Sequence, residues 1–135
     1  MTLPPIWLLR ALSACPPMNF LHVTVSENTL KGEGFDASLR EEEQHLLAAY
    51  QQKEIVLGVR PEDLAEGDEI PVEVMTNENL GMNTLVHGYI GGQRSLPITA
   101  KLRGWKDYHN GDGVRLKIIR KHFFDAETTE AIRKE

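Results

Sequence analysis

The chain has a single cysteine, Cys15, which excludes an internal disulfide framework and suits a reducing, cytoplasmic setting. Basic residues are outnumbered, with 15 Lys and Arg against 20 Asp and Glu, for a formal charge of −5. Binding a phosphate backbone calls for a basic surface, so this balance argues against nucleic acid as a partner. Aromatic residues, at 7%, are too sparse for the stacking platforms of single-strand binders. No apolar run approaches the roughly 20 residues of a membrane-spanning helix, so direct membrane insertion is not expected. Also missing is G-x-x-x-x-G-K-[ST], the loop whose amides and lysine hold nucleotide phosphates. His22, His45, His87, His109 and His122 stand at no metal-ligand spacing. No catalytic residue, metal or cofactor is therefore expected, and the chain is not read as an enzyme.

What remains is enough for a fold. The 135 residues, 41% apolar and 26% charged, suit one ordinary domain or two very small ones. The organising stretch is residues 55–64, I-V-L-G-V-R-P-E-D-L. Ile55, Val56, Leu57 and Val59 are strand formers. Pro61 donates no amide and fixes its own φ, so it ends the strand and can begin a helical turn. Glu62 and Asp63 would sit in that first turn, where the backbone dipoles favour negative charge. Gly58, Arg60, Pro61 and Glu62 thus read as a structural corner, with the strand before them central to the fold.

Around this corner the chain alternates. Leu21, Val23 and Val25 alternate with His22, Thr24 and Ser26, the period of a strand with one buried face. Turn chemistry at residues 31–34 precedes a second strand at about 35–39. Ser38, three residues before Glu41, suggests a capping box opening a helix over about 40–52, with Leu46, Leu47 and Tyr50 on its buried stripe. Further alternation marks strands around Ile70–Val74, Leu85–Ile90, Leu96–Leu102 and Val114–Ile118, with a turn at 77–81 that contains Gly81. Gly91-Gly92, Gly104 and Asn110-Gly111-Asp112-Gly113 supply other breaks. Gly91-Gly92-Gln93 has the G-G-Q core of an ATPase signature, but Ile90 stands in the serine position, so a hairpin is the better reading. Pro71 and Pro97 belong at edges or bulges. Trp7 and Trp105 read as packing residues. The pattern predicts a mainly β protein: an oligonucleotide/oligosaccharide-binding (OB) type, MOP-like small barrel, or two such barrels packed together, with one helix.

Residues 1–17 differ from the rest. Leu12-Ser13-Ala14-Cys15 matches the pattern preceding a lipid-modified cysteine, yet no Lys or Arg precedes Ile6, and Arg10 interrupts the apolar run. We expect a leader here, either out of frame or disordered, followed by a domain over 18–135.

Five segments, in order, resemble the C-terminal regulatory (TOBE) domain of ABC importer ATPases of the maltose and glycerol-phosphate type. They are Pro17-Met18-Asn19-Phe20-Leu21; Leu57-Gly58-Val59-Arg60-Pro61-Glu62-Asp63-Leu64; Asn79-Leu80-Gly81 with Thr84-Leu85-Val86-His87; Gly111-Asp112 before Val114-Arg115-Leu116; and Phe124-Asp125-Ala126-Glu127-Thr128. Thr129 stands where the last motif usually has glycine. The resemblance implies an OB-type fold and a non-catalytic role in dimerisation and regulation beside an ATPase domain or importer complex. It also implies a homodimer, cytoplasmic or held at the inner membrane through the transporter. The Walker and switch residues of the full ATPase are missing, so hydrolysis does not carry over. A second reading is a stand-alone binder of a small oxyanion or sugar.

Overall fold

The computed structural model describes residues 18–128 and 130–132, so the expected leader lies outside the described residues. The strands are β1 (Asn19–Ser26), β2 (Thr29–Gly32), β3 (Phe35–Ser38), β4 (Glu54–Val59), β5 (Leu64–Asn79), β6 (Asn83–Ile90), β7 (Pro97–Arg103), β8 (Gly113–Ile118), β9 (His122–Asp125) and β10 (Ala131–Ile132). One α-helix, α1 (Glu41–Leu46), lies between β3 and β4. A six-stranded sheet runs β10-β9-β4-β1-β2-β3, and a four-stranded sheet runs β7-β6-β5-β8. Every pairing is antiparallel.

Alternation explains how the sheets meet. Leu21, Val23 and Val25 of β1 stand opposite Leu57, Ile55 and Lys53-side backbone of the neighbouring strand region, and all three are buried. From the smaller sheet, Ile70, Val72, Val74, Val86, Ile90, Ile98, Leu102 and Leu116 join the same cluster. The two sheets therefore share one core, not two. Fully burying each such aliphatic side chain contributes about 1.5–3 kcal/mol. Among the described residues the architecture is mainly β with one α-helix, as the OB-type pattern predicts.

The expected central strand, β4, has β9 on one side and β1 on the other. From Ile55 to Val59 it is buried on both faces. Its continuous apolar run follows from this position, because neither face meets water.

Several boundaries differ from expectation. The helix is six residues long and not about thirteen. After buried Leu47 the chain tightens into a 3-10 turn at Ala48–Tyr50, where Tyr50 N–H donates to Leu47 C=O. Gln52 N–H then donates to Val25 C=O, so the segment is drawn back onto β1 before a longer helix can form. Ser38 does not cap the helix. Arg40 occupies that position, and its N–H donates to the Glu43 carboxylate at 2.9 Å. Residues 31–34 are not all turn: β2 runs through Gly32, and its one buried residue, Leu30, left little alternation to read.

The turn expected at 77–81 is also shorter, because β5 continues to Asn79. Pro97 begins the edge strand β7, as expected. Pro71 lies in β5 directly after the irregularity in the β5–β8 pairing between Glu66 and Ile70, in keeping with the expected edge or bulge position. Its carbonyl accepts from Gly91 N–H just beyond the first β5–β6 pair, Val72 with Ile90. Its nitrogen points to that same side, past the end of the ladder, so the missing N–H costs no ladder bond.

Candidate functional site

The expected motif residues fall into two places. Gly58, Arg60, Pro61 and Glu62 form one continuous corner: β4 ends at Val59 and a 3-10 turn covers Pro61–Asp63, with Pro61 buried. Asp63 N–H donates to Arg60 C=O at 2.9 Å, closing the turn. Gly81 lies apart, in the β5–β6 turn, with φ of +88°.

Gly58 is required by crowding. On the outer face of the larger sheet it pairs with Phe20 on one side and His122 on the other. A Cβ there would lie 2.5 Å from Met18 Sδ and 2.9 Å from Phe124 Cε2. Phe20 and Phe124 meet edge to face with centroids 5.9 Å apart, a favourable aromatic geometry that closes over the glycine. The Met-Asn-Phe segment and the closing Phe-Asp segment thus converge on the corner.

Asn19 supplies a connection that sequence reasoning missed. Its side-chain amide donates to Val59 C=O at 3.0 Å and to Thr99 C=O at 2.8 Å. Its Oδ1 accepts from Thr99 N–H at 2.9 Å. The two bonds to Thr99 reproduce a strand pairing with a side chain, on the edge of β7 that β6 leaves open. This buried amide therefore holds the end of β4 in the larger sheet against the edge of the smaller one. The available signal was a polar residue in the inward phase of Leu21, Val23 and Val25.

Beside the corner lies an open cleft of about 570 Å³, lined by Glu62, Glu66, Asn83, Lys101, Arg103 and Lys106, with Leu64, Leu102 and Ile119 among its apolar walls. Its electrostatics are uneven. Lys106 Nζ lies 2.9 Å from Glu66 Oε1, and the Tyr108 hydroxyl donates to the same oxygen at 2.9 Å. The Lys106 bond, followed by that from Tyr108, holds the Glu66 carboxyl below its ordinary 4.5. Burial, reinforced by the neighbouring carboxylate, pushes the Tyr108 phenol up to about 12. Trp105, expected to pack, is instead two-thirds exposed (67%) between the lining residues Arg103 and Lys106.

Two further anchors hold the frame around the corner. Lys121 Nζ lies 3.3 Å from Glu43 Oε1 with both side chains largely buried, tying α1 to the segment between β8 and β9. Tyr50 donates its hydroxyl to Asp125 at 2.9 Å, while Asp125 Oδ1 accepts from the Glu127 and Thr128 amides. Those amides, Thr128 foremost, hold the Asp125 carboxyl down, and the hydrogen bond to Asp125 raises the Tyr50 phenol. The closing Phe-Asp segment is therefore a structural turn. Among the described residues, no three His, Cys, Asp or Glu side chains converge as metal ligands.

Comparison with known proteins places this geometry. Residues 15–64 match the family model of the MalK OB fold domain, so this stretch is similar to an OB domain of that type. It is similar to the ABC transporter ATP-binding protein YurJ of Bacillus subtilis, 33% identical over 135 residues, covering 87% of this chain and 35% of the relative. YcjV of Escherichia coli O6:H1, also an ABC transporter ATP-binding protein, is 30% identical over 125 residues, covering 87% of this chain and 34% of the relative. MsmK of Streptococcus mutans, a multiple sugar-binding transport ATP-binding protein, is 29% identical over 133 residues, with shares of 87% and 34%. The chain spans about a third of the length of these relatives and matches their C-terminal part.

Proposed function

We propose that this chain is a non-catalytic regulatory and dimerisation domain that works with the ATPase of a sugar-type ABC importer. The observation carrying this reading is where the similarity falls. The family match is to the OB domain, and 87% of the chain aligns with only the C-terminal third of ATP-binding proteins. The sugar assignment draws on the multiple sugar-binding transport ATP-binding protein MsmK and on a xylose/arabinose import ATP-binding protein of Haloferax volcanii. On this reading the chain works at the cytoplasmic face, through a transporter complex, a setting that its similarity to ABC transporter ATP-binding proteins supports. Among the described residues no helix is long and apolar enough to cross a membrane.

On this reading Gly58, Arg60, Pro61 and Glu62 set a corner that presents surfaces to a partner, and Gly81 sets a turn; none performs chemistry. Within the chain Glu69 accepts from Ser38 N–H on β3 and from Ile118 N–H on β8, so these two outer strands are bridged to each other and a second copy would dock on another surface. Light scattering at tens of micromolar, roughly the range in which weak interfaces assemble, is expected to give a dimer; a monomer would count against the dimerisation role. Adding the chain to the nucleotide-binding domain of a sugar importer should change that domain's ATP hydrolysis rate. No change in rate and no co-migration on a sizing column would remove the regulatory role.

A further inference from the structure

We propose that the cleft beside the Arg60-Pro61-Glu62 corner binds a small polyhydroxylated anion of the sugar-phosphate class. The argument begins with charge. Glu66 is already matched by Lys106 and Tyr108. Lys101 and Arg103 have no ion-pair partner among the described residues, although the chain as a whole is acidic. The cleft is therefore a locally cationic place on an anionic protein, which concentrates anions there.

Register adds geometry. Lys101 and Arg103 are two residues apart on β7, so they share one face of the sheet. Asn83 pairs directly opposite Arg103 on β6, and both line the cleft. An arginine fork with a lysine and an amide suits a phosphate group. Glu62, brought in by the corner, faces the same cleft as an acceptor for hydroxyl groups. Leu64 and Leu102 add apolar wall for the carbon skeleton, and about 570 Å³ lies within the roughly 300–1,000 Å³ usual for small-ligand sites. A bare oxyanion would leave Glu62 opposed to it, whereas a phosphorylated sugar uses both signs. The bland reading of Lys101 and Arg103 is as charges that guard an edge strand against aggregation.

The inference goes beyond the importer reading and is tested on the chain alone, so either can fail without the other. The complete chain, labelled with ¹⁵N, is titrated with glucose 6-phosphate, glucose, inorganic phosphate and a hexaglutamate peptide. Glucose 6-phosphate should shift the amides of Asn83, Lys101 and Arg103 with a Kd below about 1 mM, and glucose or phosphate alone should bind at least about tenfold more weakly. Lys101→Gln and Arg103→Gln should each weaken binding by about tenfold, while Lys31→Gln on β2 leaves it unchanged. Thermal melts matching the parent show that these surface variants remain folded. The proposal is overturned if the cleft amides stay still up to about 10 mM ligand, or if Lys31→Gln weakens binding equally. It is likewise overturned if phosphate alone binds as tightly, or if the acidic peptide binds more tightly and so marks a protein-docking surface.

Discussion

Gly58 and Gly81 both fall in the recognisable motifs, yet they need glycine for opposite reasons. At Gly58 the backbone is ordinary strand and space is missing: Met18 and Phe124 occupy the place of a side chain. At Gly81 space is free, with nothing within 4 Å of a built Cβ, but φ of +88° lies in the left-handed region. The first glycine serves tertiary packing and the second serves a local turn. The difference teaches that similar motif letters can report on forces acting at different ranges. It also makes the two sites respond differently to substitution.

The largest effect is expected at the crowded glycine. Gly58→Val should destabilise the fold by about 3 kcal/mol, the upper part of the range for overpacking, read as a lower urea midpoint at unchanged slope. If Met18→Ala, which removes the nearest atom, does not restore part of that loss in the double variant, crowding is the wrong explanation. Asn19→Ala comes next. It leaves the Thr99 N–H and the Thr99 and Val59 carbonyls without their side-chain partner, at a cost of about 2 kcal/mol. Faster hydrogen exchange at Thr99 than at inner-strand amides would accompany it; unchanged exchange would contradict the clamp. Gly81→Ala should cost about 1 kcal/mol through backbone strain alone, and Gly81→Asn less, because asparagine tolerates the left-handed region. Equal losses would mean that packing, not conformation, dominates there.

The smallest effect concerns pH. The folded state holds Glu66 below its ordinary 4.5, so the associated stability is present above that value and is lost as pH falls through the depressed folded value. Glu66 is half exposed, so solvent screening keeps the contribution small. Glu66→Gln should flatten the acid limb of the melting-temperature profile slightly and leave pH 7–9 behaviour nearly parallel. At the alkaline end Tyr108 carries the opposite sign. Its stabilising contribution is complete below about pH 10 and is lost as pH rises towards about 12. Tyr108→Phe should remove that alkaline slope, and an unchanged profile would discount the raised Tyr108 phenol as its source.

Much of the fold was legible in local pattern. The alternation of Leu21, Val23 and Val25, and the apolar run of β4 stopped by Pro61, led directly to strands that exist. Other elements were illegible because their cause lies elsewhere in space. The helix stops early because Gln52 is tied to β1, and β2 has too few buried residues to announce itself. Trp105 read as a packing residue, but its placement on the surface depends on where β7 ends. The candidate cleft was equally hidden. Lys101 and Arg103 look like the polar face of any strand, and only the corner at Glu62 and the register with Asn83 make them neighbours of one space.

By itself, then, the sequence determined the period of the strands, the hard stop at Pro61 and the need for a turn at Gly81, because these depend on backbone sterics and on neighbours one or two residues away. Tertiary structure alone decided that Asn19 would act as a strand edge for Thr99, 80 residues distant. It also decided that Gly58 would lie beneath two phenylalanines from different strands. Hydrogen bonding and exclusion of volume act through space, and no local periodicity encodes which surfaces will be brought together.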